Sequence, residues 1–190
     1  HIPHANCLWR QITNLVETQN YFSAAAEKFA DIKEFLQSPA SFRLDLSRLE
    51  ERLSNDGREL VRQLLLAHLA ERGVGDIGLS VVGADGMTRT HKRVRPRTIT
   101  TLFGAITIHR VAYSMPQAAS LYPLDAMLNL PPINVSYTLQ KHFIQEVITN
   151  SFKEAREALV RWTGVHLSND HAQQIVHDAA QDFARFYTNQ

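Results

Sequence analysis

Polar side chains of the kind that read DNA bases are concentrated just after Ser168. Asparagine, glutamine and histidine donate and accept hydrogen bonds, and amide side chains match the major-groove edge of adenine. If this segment is a helix, Ala172, Ile175 and Val176 form its inner face and leave the polar side chains outside. The candidates for base readout are Asn169, His171, Gln173 and Gln174.

A helix is also predicted directly before this one. Phe152, Ala155, Leu159 and Trp162 recur at helical spacing, which predicts a buried face with Trp162 in the core. The charged residues of the segment lie off that face. Its cations are further candidates for DNA contact: Lys153 and Arg156.

The two predicted helices are separated by a short turn. Gly164 is expected to end the first helix, since glycine tolerates the left-handed conformation of a helix exit, and Ser168 is expected to cap the second. The run from Ser151 to Val176 therefore has the pattern of a helix-turn-helix. Helical hairpins that turn at a glycine are also common packing units, so this segment alone leaves DNA contact open.

Basic residues are concentrated in the middle of the chain. Between Gly86 and Leu124 there are six arginines and lysines and no acidic residue, although the whole chain has a net charge of only +1. Such a block is typical of a surface that binds phosphates, and equally of a solvated edge strand that resists aggregation. The candidates for phosphate contact are Arg89, Lys92, Arg93, Arg95 and Arg97.

The basic block coincides with strand-like sequence. The turn Gly83 to Gly86 predicts one hairpin, and Phe103-Gly104 predicts a second. The apolar residues change phase after Ile108, which suggests a bulge near His109 and Arg110. The proline-rich connector that follows is apolar enough to pack against its neighbours through five residues: Leu121, Leu124, Met127, Leu128 and Leu130.

The N-terminal third has a helical period. Ile12, Leu15 and Val16 begin a helical pattern that runs to Pro39. We expect a short helix around Leu46 to Leu53, a break at Asn55-Asp56-Gly57, and another helix to Arg72. The predicted fold is α+β, mostly helical with a small antiparallel sheet. The predicted regions are 1–75 (helical), 76–117 (β-hairpins) and 118–190 (connector and helix-turn-helix).

Several kinds of chemistry have no support in the sequence. A single cysteine excludes an internal disulfide and a cysteine-based zinc site, and no glycine-rich phosphate loop is present. His1, His4 and Cys7 could bind a metal, but their place at the chain end argues against a site there, and His166, His171 and His177 are poorly spaced for one. No apolar run approaches the roughly twenty residues of a membrane span, so we expect a cytoplasmic protein with no membrane partner. Both chain ends suggest a piece of something longer.

An ordered set of segments resembles the N-terminal half of ISKra-type insertion-sequence transposases: VVGADGMTRTHKR, TLFGAITIHRVAYS, SLYPLDAMLNLPP, SFKEAREALVRWTGVHLSNDHAQQIV and AQDFARFY. The resemblance covers about residues 78 to 187. It implies a bacterial, nucleoid-associated protein that binds the terminal repeats of its element. Many relatives carry a Cys-x-x-Cys pair after the second hairpin, where this chain has Ser114 to Gln117.

The resemblance also implies what this chain lacks. The acidic, divalent-metal-binding triad of the family belongs to a later RNase H-like domain, so no catalytic residue, metal ligand or cofactor is assigned here. We therefore expect a DNA-binding and assembly region of a transposase, acting on double-stranded DNA as a homo-oligomer. The alternative is a protein-interaction module that dimerises without contacting DNA.

Overall fold

The computed structural model describes residues 20–188 and has the predicted mixed α+β fold. In that range the α-helices are α1 (Ser23–Gln37), α2 (Leu46–Glu71), α3 (Pro123–Met127), α4 (Tyr137–Thr149), α5 (Phe152–Thr163) and α6 (Asn169–Thr188). The strands are β1 (Val81–Val82), β2 (Thr88–Arg89), β3 (His91–Thr101), β4 (Gly104–Met115) and β5 (Ala118–Leu121). The expectations for Ile12, Leu15, Val16, His1, His4 and Cys7 lie outside the described residues.

The predicted break at Asn55-Asp56-Gly57 is wrong, because α2 runs through it without interruption. Asp56 accepts hydrogen bonds from Lys28 Nζ of α1 (2.7 Å) and from Arg52 Nε one turn earlier (2.5 Å). These bonds lower the pKa of Asp56, and the bond from Lys28 contributes more than the bond from Arg52. A glycine inside a helix costs only about 1 kcal/mol relative to alanine, which tertiary contacts of this kind offset.

The sheet has the order β3-β4-β5, and β1 pairs with β2 in a separate small hairpin. All pairs are antiparallel, and the hairpin turns fall at the two predicted positions. The register of β3 against β4 is regular from His91 opposite Ser114 to Thr101 opposite Gly104. The bulge predicted near His109 and Arg110 is therefore wrong, and the irregularity lies between β4 and β5 at Tyr113 and Met115.

The phase change in β4 arises because both faces of the strand are covered. Ile106 and Ile108 are buried against leucines of α2 and of the connector. Val111 and Tyr113 are also buried, at 4% and 0% exposure, on the opposite face. The Tyr113 hydroxyl accepts from Ile77 N–H (3.0 Å) and donates to Asp76 Oδ1 (2.8 Å). Burial on two sides thus produces the pattern that suggested a bulge.

The connector packs against the sheet, as predicted, but it also contains regular structure. Its first residues form β5 and its middle forms α3. Leu124 is buried, and Leu128 and Leu130 pack on the isoleucines of β3 and β4. Met127 is the exception, because it is exposed and takes no part in that packing.

The end of the connector joins the sheet to the C-terminal helices. Thr100 of β3 accepts from Ser136 N–H and donates to Asn134 O, both at 2.9 Å. Val135 between them is fully buried, in the core that α4, α5 and α6 share. The three C-terminal helices are therefore attached at the turn end of the β3–β4 hairpin.

Candidate nucleic-acid interface

Helices α4, α5 and α6 form a bundle around one apolar core. Leu139 and Phe143 of α4, Ala155 and Leu159 of α5 and two residues of α6 are almost fully buried; the two are Ala172 and Ile175. The ring of Phe152 meets that of Phe143 edge to face, with 5.9 Å between centroids. The inner faces predicted for α5 and α6 are confirmed at these positions.

Local sequence signals define where α5 begins and ends and where α6 begins. Ser151 and Glu154 form a capping box, and hydrogen bonds from Ser151 lower the pKa of Glu154. Gly164 ends α5 in the left-handed conformation, with φ of 67°. Ser168 Oγ accepts from His171 N–H (3.2 Å), which caps α6. The predicted glycine turn and serine cap are both present.

The prediction that Trp162 lies in the core is wrong. Its side chain is 77% exposed, although it continues the apolar spacing of Phe152, Ala155 and Leu159. Leu159 is the last residue of α5 in the core, and the chain re-enters that core after the turn through Val165 and Leu167. Trp162 instead lines an open groove beside the bundle.

Two of the predicted DNA-binding residues bond to each other. Arg156 donates to Asn169 Oδ1 and to Leu167 O, the latter at 2.9 Å. Its guanidinium therefore holds the first residue of α6 against α5 across the turn. Arg156 is half-buried, whereas Asn169 is exposed. We assign Arg156 a role in positioning α6 and do not retain it as a phosphate contact.

The other candidates on the bundle differ in how open they are. Gln173 and Gln174 are exposed, and Gln174 donates to Asp178 Oδ1 at 2.7 Å. His171 is half-buried at the first turn of α6. Lys153 projects from α5 with 85% of its side chain exposed, and its Nζ lies 3.9 Å from Glu157. Gln173 is exposed and its side chain has no hydrogen bond to another described residue.

Arg89 is buried, contrary to the predicted phosphate contact. It is 2% exposed and lies between the small hairpin and β5. Its guanidinium bonds to both carboxylate oxygens of Asp85, and its Nε donates to Ala119 O (2.7 Å). Hydrogen bonds from Arg89 lower the pKa of Asp85 to about 2. This arginine joins β2 to β5 and is closed to DNA.

Arg97 is also closed to DNA. It pairs with Asp125 Oδ2 (3.1 Å) and donates to Asn134 Oδ1 and to carbonyls of the connector. Arg110 pairs with the same carboxylate, and its guanidinium lies 3.8 Å from the centre of the Tyr122 ring. Asp125 thus attaches α3 to two neighbouring strands.

Lys92 is exposed but paired. Its Nζ lies 2.7 Å from Asp76 Oδ2, and hydrogen bonds from Lys92, Gly78 and Tyr113 together lower the pKa of Asp76 to about 2. Three aspartates from outside the acid-free stretch therefore pair with four of its six cations. The sequence block is basic, but most of its charge is compensated in three dimensions.

Arg93 and Arg95 are the two cations of the block that remain open. Both are exposed on β3, and neither side chain has a hydrogen bond or ion pair with any residue whose side chain is described. They are two residues apart and share one face of the strand, at a spacing of about 7 Å. They are the parts of the predicted basic surface that fit a phosphate contact.

The open arginines and the helical bundle lie at opposite ends of β3. Arg93 is seven residues from Thr100, where the bundle is attached, which corresponds to roughly 23 Å along the strand. The structure therefore does not join the predicted site residues into one patch. It leaves two candidate contact points on one protein.

The described part of the chain shows neither a metal cluster nor a membrane span. Among the side chains that the structure describes, residues 20–181, no three histidines, cysteines or acidic residues are grouped as a metal site requires. No helix within residues 20–188 is long and apolar enough to cross a bilayer.

Comparison of the chain with protein-family models, with curated proteins and with solved structures found no match. The function is therefore inferred from the geometry of the candidate interface and from the residues that the structure leaves open.

Proposed function

We propose that this chain binds double-stranded DNA, with α6 entering the major groove. The observation that carries the proposal is the construction of α6. Its start is defined by Ser168 and Arg156, its inner face is buried through Ala172 and Ile175, and its outer face carries Gln173 and Gln174. A helix held in this way presents amide groups while its inner face stays packed, as in helix-turn-helix proteins.

Phosphate contacts come from cations that have no strong internal partner. Arg93 and Arg95 supply them on the sheet, and Lys153 supplies one at the start of α5. Phosphate contacts give affinity with little preference for DNA sequence, whereas contacts from the amides of α6 to the bases give sequence preference. The two kinds of contact lie on different elements, so they are separable by mutation.

We further propose that the chain is the DNA-binding and assembly region of a transposase that recognises the ends of its element. This proposal is supported by the ordered sequence segments between residues 78 and 187, and by a sheet and a helical bundle at those positions. It assigns no catalytic residue to the chain. Divalent-metal chemistry would belong to a separate catalytic domain.

Salt-dependent binding tests the sheet contacts. Fluorescence anisotropy with labelled random-sequence duplex DNA gives the slope of log affinity against log salt, which changes by about 0.9 for each phosphate that the protein no longer neutralises. Arg93→Ala with Arg95→Ala should flatten the slope by about 1.8, which is roughly a tenfold smaller decrease in affinity over a fourfold rise in salt. Lys33→Ala with Arg43→Ala removes two exposed cations, one on α1 and one between α1 and α2, and is the matched control.

Selection from a randomised duplex library tests the readout by α6. Gln173→Ala with Gln174→Ala should weaken binding to the enriched sequence by about tenfold or more while leaving random-sequence binding nearly unchanged. Gln37→Ala, an exposed glutamine on α1, is the control. Failure of the wild-type chain to bind any duplex at low salt would overturn the proposal, and self-association without DNA binding would favour the interaction-module alternative.

A further inference from the structure

An open groove lies between α2, the turn of the β3–β4 hairpin, α4 and α5. Its volume is about 560 Å³. Its apolar surface comes from five residues: Val61, Leu102, Phe103, Leu159 and Trp162. Trp162 and Phe103 are 77% and 36% exposed, so two aromatic rings stand at this surface without being buried by the described part of the chain. Exposed aromatic side chains beside an apolar depression are typical of a protein-protein contact.

The same groove carries one positive and one negative side chain without a counter-ion. Arg58 is half-buried, and its one hydrogen bond to a described residue goes to Asn55 Oδ1 at 3.5 Å. Glu146 is half-buried and accepts from Asn150 Nδ2 at 3.1 Å. Neither forms an ion pair among the side chains that the structure describes. A half-buried guanidinium without a carboxylate is incompletely compensated, which favours a partner that supplies one.

We propose that a second copy of this chain docks in this groove about a twofold axis. In a twofold interface the same patch meets itself, so a surface with one cation and one anion is complementary to its own copy. Arg58 of one protomer then faces the partner's Glu146, and the reciprocal pair forms on the other side of the axis. Trp162 and Phe103 supply the apolar centre. DNA is a poorer occupant, since Glu146 would repel its phosphates.

Charge reversal gives a sharp test, because the contact occurs twice in each dimer. Wild-type chain should be dimeric by sedimentation velocity and light scattering. Arg58→Glu places glutamates opposite each other twice, and Glu146→Arg does the same with arginines. Each variant alone should weaken dimerisation by about 100-fold or more, because like charges face each other at both contacts. Lys33→Glu reverses an exposed charge on α1 and should leave the protein dimeric.

Mixing the two single variants provides the decisive measurement. In the mixed dimer one contact joins the two introduced charges, which have opposite signs, and the other joins the native Arg58 and Glu146. Both contacts are then attractive, so two variants that are monomeric alone should form a heterodimer when mixed. The double variant should recover the homodimer. This recovery also shows that the single variants remain folded.

Fluorescence of Trp162 gives an independent readout. Trp9→Phe leaves Trp162 as the single tryptophan of the chain. Its emission should shift to shorter wavelength as protein concentration rises through the dimerisation range, and the Arg58→Glu variant should not show the shift.

The inference is overturned if the wild-type chain is monomeric at every concentration, if the single variants remain dimeric, or if their mixture stays monomeric. It is independent of the proposed DNA binding. A monomer that binds duplex DNA would contradict the groove assignment alone, and a dimer that binds none would contradict the DNA proposal alone.

Discussion

Replacement of Asp125 by alanine is expected to destabilise the fold strongly. This carboxylate pairs with both Arg97 and Arg110, whose side chains are 11% and 12% exposed, and it is itself 21% exposed. Without it, two cations remain in a site nearly closed to water. Arg97 lies on β3 and bonds to the connector, and Arg110 lies on β4. Since Asp125 belongs to α3, the packing of α3 on the sheet depends on the same carboxylate.

The size of the destabilisation depends on which contacts Arg97 and Arg110 keep when Asp125 is removed. Removing one partner of a buried ion pair costs about 3–5 kcal/mol. Arg97 retains bonds to Asn134 and to backbone carbonyls, whereas the contact with the Tyr122 ring is all that Arg110 retains among the described residues. We expect the lower end of that range, about 3 kcal/mol, which lowers Tm by roughly 6–12 °C for a chain of this size.

Urea unfolding followed by circular dichroism, with thermal unfolding beside it, measures this destabilisation. Asp31→Ala removes an exposed carboxylate from α1 and should stay within about 0.5 kcal/mol of wild type. A destabilisation below about 0.5 kcal/mol for Asp125→Ala would refute the reasoning, because it would mean that the two arginines do not depend on that carboxylate.

Three further outcomes are expected. Gly164→Ala should lower the free energy of unfolding by about 1–2 kcal/mol in urea, because φ is 67° and the new Cβ would overlap Arg58 Nη1; Gly164→Asn, which tolerates this conformation, should lose less. Ser168→Ala removes the α6 cap and should lower the free energy of unfolding by about 1 kcal/mol, whereas Ser168→Asp should keep most of that stability; thermal unfolding measures both variants. The pKa of Asp76 is lowered from 3.8 to about 2, so the stability it contributes is complete above about pH 4 and is lost as the pH falls toward 2; Asp76→Asn should be less stable than wild type at neutral pH and should converge with it in acid unfolding measured by fluorescence.

The helix ends of the C-terminal bundle could be predicted because their causes are local. Ser151 with Glu154, Gly164, and Ser168 with His171 act over a few residues, so their spacing in the sequence is enough to define them. The α+β class and the two hairpin turns were predictable for the same reason. The uninterrupted course of α2 was not, because the bond from Lys28 that supports Asp56 comes from another helix.

The basic block shows where local reasoning fails. Its six cations lie in a stretch without acids, yet Asp76 pairs with Lys92 from sixteen residues away and Asp125 pairs with Arg97 from twenty-eight. Trp162 fails in the same way, because helical spacing places it on the inner face while the extent of the core decides its exposure. In both cases the answer depends on residues distant in the chain.

The sequence by itself determined the α+β class, the two hairpin turns, the helix boundaries at Gly164 and Ser168, and the polar character of α6. Only the tertiary structure decided which cations are free, since four of six are compensated by aspartates brought in by folding and Arg93 and Arg95 are left open. It also decided that Arg58, Glu146 and Trp162 share one groove. The physical reason is range: backbone propensity and capping act within a turn, whereas burial and charge pairing act between segments that only the fold brings together.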